Sequence, residues 1–316
     1  MGKSRFSGPL FIVGMPRSGT KLIRDLLNQN SKIGIPVIES HFILNMINKY
    51  GKTPHLEKKN IRESFFEDFQ KTVFFRRRKR KGFALKQNNL NEITDKNSWS
   101  SIFEVIFRFY APLERDDKFI WGDKCPSLSY LANLSLLKEI FPTAKFLHII
   151  RDPRDGGLSM KKSWMMTLYS SAERWRQSME TARSQGKKIG NDYMEIYYES
   201  LLDNPQNTLI DVCNFVGINF IDNMLYLDKP ASTKGDTGKC RTVLRTNKKK
   251  FLSQLSPTVT KRIEEIVFPE MKKTPYEFEY AKNFIPLNPL SFMAHRGYNK
   301  IVNIVVRIKA EIGGRK

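Results

Sequence analysis

The segment Leu10-Phe-Ile-Val-Gly-Met-Pro-Arg-Ser-Gly-Thr-Lys-Leu22 constrains this chain more than any other, because an apolar strand runs straight into a glycine-bounded loop and then a helical pattern. Backbone N–H groups at a helix start lack intrahelical partners and sit at the positive end of the helix dipole, so a strand, loop and helix joined this way bind anions. Arg17, Ser18, Thr20 and Lys21 add charge and hydroxyl donors to that cradle. The spacing from Gly14 to Gly19 fits the phosphate-binding pattern G-x-x-x-x-G, but Thr20-Lys21 replaces the Lys-Ser/Thr pair that grips a γ-phosphate and Mg²⁺. The loop suits a phosphorylated donor other than an ordinary nucleoside triphosphate.

The 316 residues suffice for a buried core, in one large α/β domain or two small ones. No apolar run reaches the length of about 18 residues that a membrane-crossing helix needs. Met1 to Ser7 lacks the apolar stretch of a signal peptide. Three cysteines, Cys125, Cys213 and Cys240, make an odd count without C-x-x-C, which argues against a disulfide framework and a zinc site and leads us to expect a reducing cytosol. A formal net charge of +22 implies polyanions nearby, without choosing among nucleic acid, anionic lipid, acidic glycan and phosphate-rich cofactor.

Along the chain, a helix is expected from Thr20 to about Gln29, with Leu22, Ile23, Leu26 and Leu27 on one face. Ile61, Phe65, Phe66, Phe69 and Val73 predict one amphipathic helix, followed by the solvated basic block Arg76 to Lys81. A second aromatic helix is predicted from Trp99 to Tyr110, stopped by Pro112. Strands at Phe119–Trp121, Lys145–Ile150 and Tyr193–Tyr198 alternate with helices at Leu128–Ile140 and from Asn204-Pro205 through Phe215. This rhythm predicts an α/β fold, a P-loop-type parallel sheet flanked by helices on both faces, with a helical insertion around residues 51–111. Residues 1–290 read as one domain and 291–316 as a basic amphipathic tail.

A second strand-to-loop transition, Arg151-Asp-Pro-Arg-Asp-Gly-Gly-Leu-Ser159, carries basic residues where ligands of parallel sheets collect. Together, G-x-P-R-S-G-T at the first loop, W-G-D-K-x-P around Lys124 and R-D-P-R-D-x-x-x-S from Arg151 resemble the sulfotransferases that use 3′-phosphoadenosine 5′-phosphosulfate, in order over residues 8 to 240. The resemblance is to the bacterial carbohydrate-type branch, with motifs similar to glycosaminoglycan and tyrosylprotein sulfotransferases. The resemblance implies that Arg17, Ser18, Gly19, Thr20 and Lys21 hold the 5′-phosphosulfate and that Arg151 and Ser159 hold the 3′-phosphate. It also implies that Tyr198 lies beside the adenine and that Lys234 and Gly235, in a loose K-G-x-x-G match, close on the 3′-phosphate. No metal is implied.

Sulfonyl transfer needs an acceptor oxygen relieved of its proton and positive charge on the sulfonyl oxygens and the departing phosphate. Lys124 resembles the family lysine on the bridging or sulfonyl oxygen, but Cys125 and Pro126 follow it where cytosolic relatives have a histidine base. Glu39-Ser40-His41-Phe42 is similar to the E-x-H-F stretch of glycosaminoglycan sulfotransferases, which makes Glu39 the favoured base and His41 a support for the acceptor. A glutamate needs a raised pKa to act well as a base, and burial is one way to raise it. The plainer reading has Ser40 capping a helix and Lys124 pairing with Asp123. His148, inside an apolar strand, reads as a core residue with a hydrogen-bonded ring.

The expected acceptor is a hydroxyl on a carbohydrate or lipid-linked glycan. Two other classes compete: an ATP-dependent P-loop kinase, against which Thr20-Lys21 speaks, and a basic nucleic-acid-binding module, which leaves the ordered loops unexplained. We expect no nucleic-acid partner. In the tail, Tyr298, Ile301, Val302, Val305, Ile308 and Ile312 share a helical face among six basic residues and the single acid Glu311, so contact with an anionic membrane at its cytoplasmic face is a further expectation. Beside it stand an edge strand, which the alternation of Val306, Ile308, Ala310 and Ile312 with Arg307, Lys309 and Glu311 also fits, and a helix docked on the domain.

Overall fold

The computed structural model describes residues 6–91, 93, 95–112, 119–229 and 240–299. In chain order the elements are β1 (Leu10–Gly14), α1 (Thr20–Leu27), β2 (Ile33–Gly34), α2 (Ile43–Tyr50), α3 (Lys59–Lys71), α4 (Val73–Lys79), α5 (Trp99–Tyr110), β3 (Ile120–Lys124), α6 (Leu128–Ala132) and α7 (Leu134–Ile140). They continue with β4 (Lys145–Ile150), α8 (Pro153–Trp164), α9 (Leu168–Ile189), β5 (Tyr193–Tyr197), α10 (Tyr198–Asp203), α11 (Pro205–Val216), α12 (Phe251–Gln254) and α13 (Pro257–Met271). Among the described residues, no helix is long and apolar enough to cross a membrane.

All five strands are parallel, in the order β2-β3-β1-β4-β5. Side chains alternate across the pleat. Leu10 and Ile12 therefore enter one core with α1, α10 and α11, and Phe11 and Val13 enter another with the helical insertion. The chain crosses from β3 on one side of β1 to β4 on the other, which leaves a crevice beyond the carboxyl ends of β1 and β4. Gly14 pairs with Ile149 in that register, so the loops carrying Arg17 and Arg151 emerge side by side.

The expected α/β architecture is present, with local differences. Thr72 divides the predicted helix of residues 61–73 by capping α4 through a bond from Phe75 N to its Oγ1, and Val73 is left exposed. Arg76 to Lys79 of the basic block form the end of α4, and Arg80 and Lys81 the turn that follows it. Within the block Arg78 is buried against Tyr110 and Phe83, while its basic neighbours face water. Asn133 likewise splits the predicted helix of residues 128–140 into α6 and α7.

The insertion positions the site through Phe42. Its ring lies 5.3 Å from Phe69, 5.4 Å from Phe74 and 5.8 Å from Phe103, a buried aromatic centre that holds the chain just after His41. Helix α9 packs on α8 and α13, burying Trp175 and Met179 with Met15 and Ile150. His148 is a core residue: its Nδ1 meets Tyr193 Oη at 2.6 Å, and burial pushes its pKa down to about 4.

Candidate active site

The β1–α1 loop turns where only small residues fit. Gly14 has φ 153° and a Cβ there would lie 2.5 Å from Ile149 O; Gly19 has φ 95° and a Cβ would lie 2.3 Å from Tyr198 Cδ2. Between them Arg17 adopts φ 71°, uncommon for a residue with a side chain, and its carbonyl accepts a bond from Arg151 Nη1 at 3.1 Å. Arg17 Nε donates to Ser159 Oγ at 3.1 Å, because the Asp152 cap and Pro153 start α8 so that Ser159 faces the loop. The Arg151 guanidinium stacks on the Tyr198 ring, 4.6 Å from its centroid. Asn247 Nδ2 donates to Tyr198 Oη at 2.7 Å, and Asn247 O accepts from Arg151 Nη2 at 3.4 Å.

This shelf carries excess positive charge. Among the described residues, neither Arg17 nor Arg151 forms an ion pair, and Arg151 Nε is buried without a partner. Burial and the nearby Arg151 charge lower the Arg17 pKa. Arg151 is buried while Arg17 stays exposed, and a buried guanidinium without a carboxylate is costly unless an anion completes it.

The second half of the site lies at the end of β3. Buried polar groups fix the approaching segment: Asn28 exchanges side-chain bonds with the backbone of Ile35 at 2.8 and 2.9 Å, and Arg24 donates to Val37 O at 2.7 Å. Ser40 does not cap a helix. Its Oγ donates to Asp123 Oδ2 at 2.5 Å, and Asp123 is buried enough for its pKa to rise to about 6. Lys124 is therefore free of Asp123 and bonds to Glu39 Oε1, whose other oxygen meets His41 Nε2 at 2.7 Å. His41 Nδ1 meets Cys125 Sγ at 3.2 Å, so both ring nitrogens are engaged.

The Glu39 carboxyl is held down to about 2: burial raises it, but His41 and the adjacent Lys124 outweigh that effect. The raised pKa that would suit a base is absent in this resting arrangement. Burial lowers the pKa of Lys124. The two halves adjoin because β1 pairs with β3, with Ile12 opposite Lys124 and Cys125 N donating to Ile12 O.

Of the residues singled out in the sequence, Arg17, Ser18, Gly19, Thr20, Lys21, Arg151, Ser159 and Tyr198 gather at the β1–β4 crevice, and Glu39, His41 and Lys124 lie beside it at β3. Lys234 and Gly235 lie outside the described residues. Asn247 and Asp123 complete the framework without having announced themselves as site residues. A polar residue in an irregular segment gives no periodic signal, and Asp123 stands out only once Ser40 is beside it.

The chain belongs to the sulfotransferase family, whose model matches residues 9–222. It is 25% identical to protein-tyrosine sulfotransferase 2 of Gallus gallus over 230 residues, 69% of this chain and 53% of that protein. It is also 25% identical to protein-tyrosine sulfotransferase 1 of Danio rerio over 229 residues, 69% of this chain and 55% of that one. The chain thus spans about half the length of the curated relatives it matches. Among solved structures, the sulfotransferase domain from the curacin biosynthetic pathway is similar in fold, with a TM-score of 0.52 and 19% identity over 83% of this chain and 97% of that one.

Proposed function

We propose that the protein transfers a sulfonyl group from 3′-phosphoadenosine 5′-phosphosulfate to an acceptor hydroxyl. The observation that carries this reading is a pair of arginines, Arg17 and Arg151, without ion-pair partners among the described residues, next to the Lys124–Glu39–His41 chain. The residues fit a donor with two anionic ends. Arg17, Ser18, Gly19, Thr20 and Lys21 would hold the phosphosulfate, Arg151 and Ser159 the 3′-phosphate, and Tyr198 the adenine. The buried, unpartnered Arg151 Nε is the orphaned donor such a phosphate would satisfy.

In this reading Glu39 takes the acceptor proton as the acceptor oxygen bonds to sulfur and the sulfur–phosphate oxygen bond breaks, releasing adenosine 3′,5′-bisphosphate. Lys124 and Arg17 neutralise charge on the sulfonyl and leaving oxygens. At rest Lys124 binds Glu39 and suppresses its basicity. Drawing Lys124 toward the donor would remove that restraint and activate the base only when the donor is present. His41, bonded through both ring nitrogens, holds Glu39 and faces the acceptor.

The Glu39-Ser-His-Phe42 stretch supports a sugar hydroxyl on a free or lipid-linked glycan. Likeness to protein-tyrosine sulfotransferases supports a phenolic hydroxyl as the second reading. A cytoplasmic setting is supported by free, buried Cys125 and Cys213. The first experiment is thermal unfolding with adenosine 3′,5′-bisphosphate and no Mg²⁺, where ligand at 100 times its Kd adds about 2.7 kcal/mol. A shift with ATP–Mg²⁺ alone would favour a kinase, and one with oligonucleotides alone a nucleic-acid module. Labelled donor with matched sugar and phenol acceptors then separates the two acceptor readings.

A further inference from the structure

A cavity of about 310 Å³ adjoins the reacting residues, walled by Met15, Pro126, Leu128, Met160 and Met166 and carrying one charged side chain, Arg174. Its position follows from chain order: Pro16, also in its wall, precedes Arg17, Met160 follows Ser159, and Pro126 follows the Cys125 that meets His41. Arg151, Tyr198 and Asn247 do not line it, so it is separate from the shelf assigned to the donor.

Arg174 is half-buried on α9, and among the described residues no acid pairs with it. Other arginines of that helix are paired, Arg176 with Glu173 and Glu180 and Arg183 with Glu195. The Glu173 carboxylate is already occupied by Arg176 and Gln177. Burial lowers the Arg174 pKa, and the charge of Arg296, on the helix of residues 289–299, adds to that effect. A half-buried cation in the wall of an apolar cavity is costly without a counter-charge, and a bound anion would supply one.

We propose that this cavity is the acceptor subsite and that Arg174 binds an anionic substituent of the acceptor. The preferred acceptor then has an apolar, ring-sized body for the methionine and proline walls and a carboxylate or similar oxyanion for the Arg174 guanidinium. This assignment rests on the sulfonyl-transfer reading in its second form, with a phenolic rather than a sugar hydroxyl as acceptor.

The test uses the full chain saturated with adenosine 3′,5′-bisphosphate and calorimetric titration with 4-hydroxyphenyl acetate, propanoate and butanoate acids against their amides. At least one carboxylate should bind about tenfold more tightly than its amide, Arg174→Gln should erase that difference, and Arg174→Lys should keep part of it. Bisphosphate affinity should be unchanged in both variants, which separates loss of the subsite from loss of the fold. Equal binding of every acid and amide, no binding of any, or an acid preference that survives Arg174→Gln would overturn the proposal. If the bisphosphate itself fails to bind wild type, the donor reading fails, and any remaining anion preference overturns the assignment of the cavity to an acceptor.

Discussion

Arg17 Nε donates to Ser159 Oγ at 3.1 Å, joining two loops 142 residues apart in sequence. The bond aims a guanidinium that has no carboxylate partner among the described residues into the crevice beyond β1 and β4. Arg17→Ala is expected to reduce kcat by about 10² or more at saturating donor, because it removes fixed charge from a developing anion. Ser159→Ala and Arg151→Ala should act mainly on donor affinity. Steady-state kinetics and bisphosphate titration separate these effects, and a wild-type kcat in Arg17→Ala would remove that residue from the chemistry.

Glu39 lies between Lys124 and His41, so a change at one position alters the others. Glu39→Gln should preserve fold and bisphosphate affinity and lose about 10² to 10⁴ in turnover, the range of a general base. Lys124→Ala should lose about 10² or more. His41→Ala should raise the acceptor KM more than it lowers kcat. A larger kcat loss for His41→Ala than for Glu39→Gln would move the base to the histidine.

Gly19 sits against the Tyr198 ring, with no room for a methyl group and with a φ of 95°. Gly19→Ala should displace the ring, weaken the Arg151–Tyr198 stack and lower both melting temperature and bisphosphate affinity. Gly217→Ala, also at positive φ but with no atom near the added Cβ, is the control for backbone strain alone. It should lower stability without changing bisphosphate affinity. Equal affinity losses in the two variants would show that contact with Tyr198 is unimportant.

The two anion-facing loops were legible in sequence because each is local: an apolar strand, a glycine or Asp-Pro turn and a helix with basic residues at its start. Their parallel sheet followed from repetition of that unit. Lys124 and Glu39 were legible as separate candidates, but their pairing spans 85 residues and depends on Asp123 being occupied by Ser40. The strand β2 has only two residues, too few for an alternating pattern, and α9 mixes Ser, Arg, Glu and Gln so evenly that its apolar stripe is faint. Thr72 and Asn133 ended helices inside runs that look continuous by periodicity alone.

Glu199 gives a pH-dependent signature to the fold around the shelf. Burial and the neighbouring Asp152 charge raise its pKa from 4.5 to about 7, even though Tyr276 Oη donates to its Oε2 at 2.6 Å. The folded protein thus keeps a proton that the unfolded chain releases above pH 4.5. Its stabilising contribution is full below that pH and lost as the pH rises to about 7, above which both states are ionised. Glu199→Gln imitates the protonated carboxyl. The melting temperature of the variant should gain on wild type by a few degrees across this window, about 1 kcal/mol corresponding to about 1.5 °C in a chain of this size. A constant difference from acid to neutral pH would show that Glu199 does not titrate there.

The helix of residues 289–299 is docked on one side and exposed on the other. Asn299 accepts from Thr167 N at 3.2 Å and donates to Ser170 Oγ at 2.9 Å, whereas Leu290, Met293 and Tyr298 are 75%, 66% and 50% exposed. Apolar side chains facing water beside Arg296 suit an anionic bilayer surface, where each basic residue adds about 1 kcal/mol of attraction and salt weakens it. The full chain should therefore co-sediment with phosphatidylserine vesicles at low salt more strongly than with neutral vesicles, and Leu290→Ser with Met293→Ser should reduce that binding. A chain ending at Asn288 should lose it while keeping the Arg262 bonds to Ile285 O and Pro286 O that hold the preceding segment. Equal sedimentation of the full and shortened chains would exclude this segment as a membrane contact.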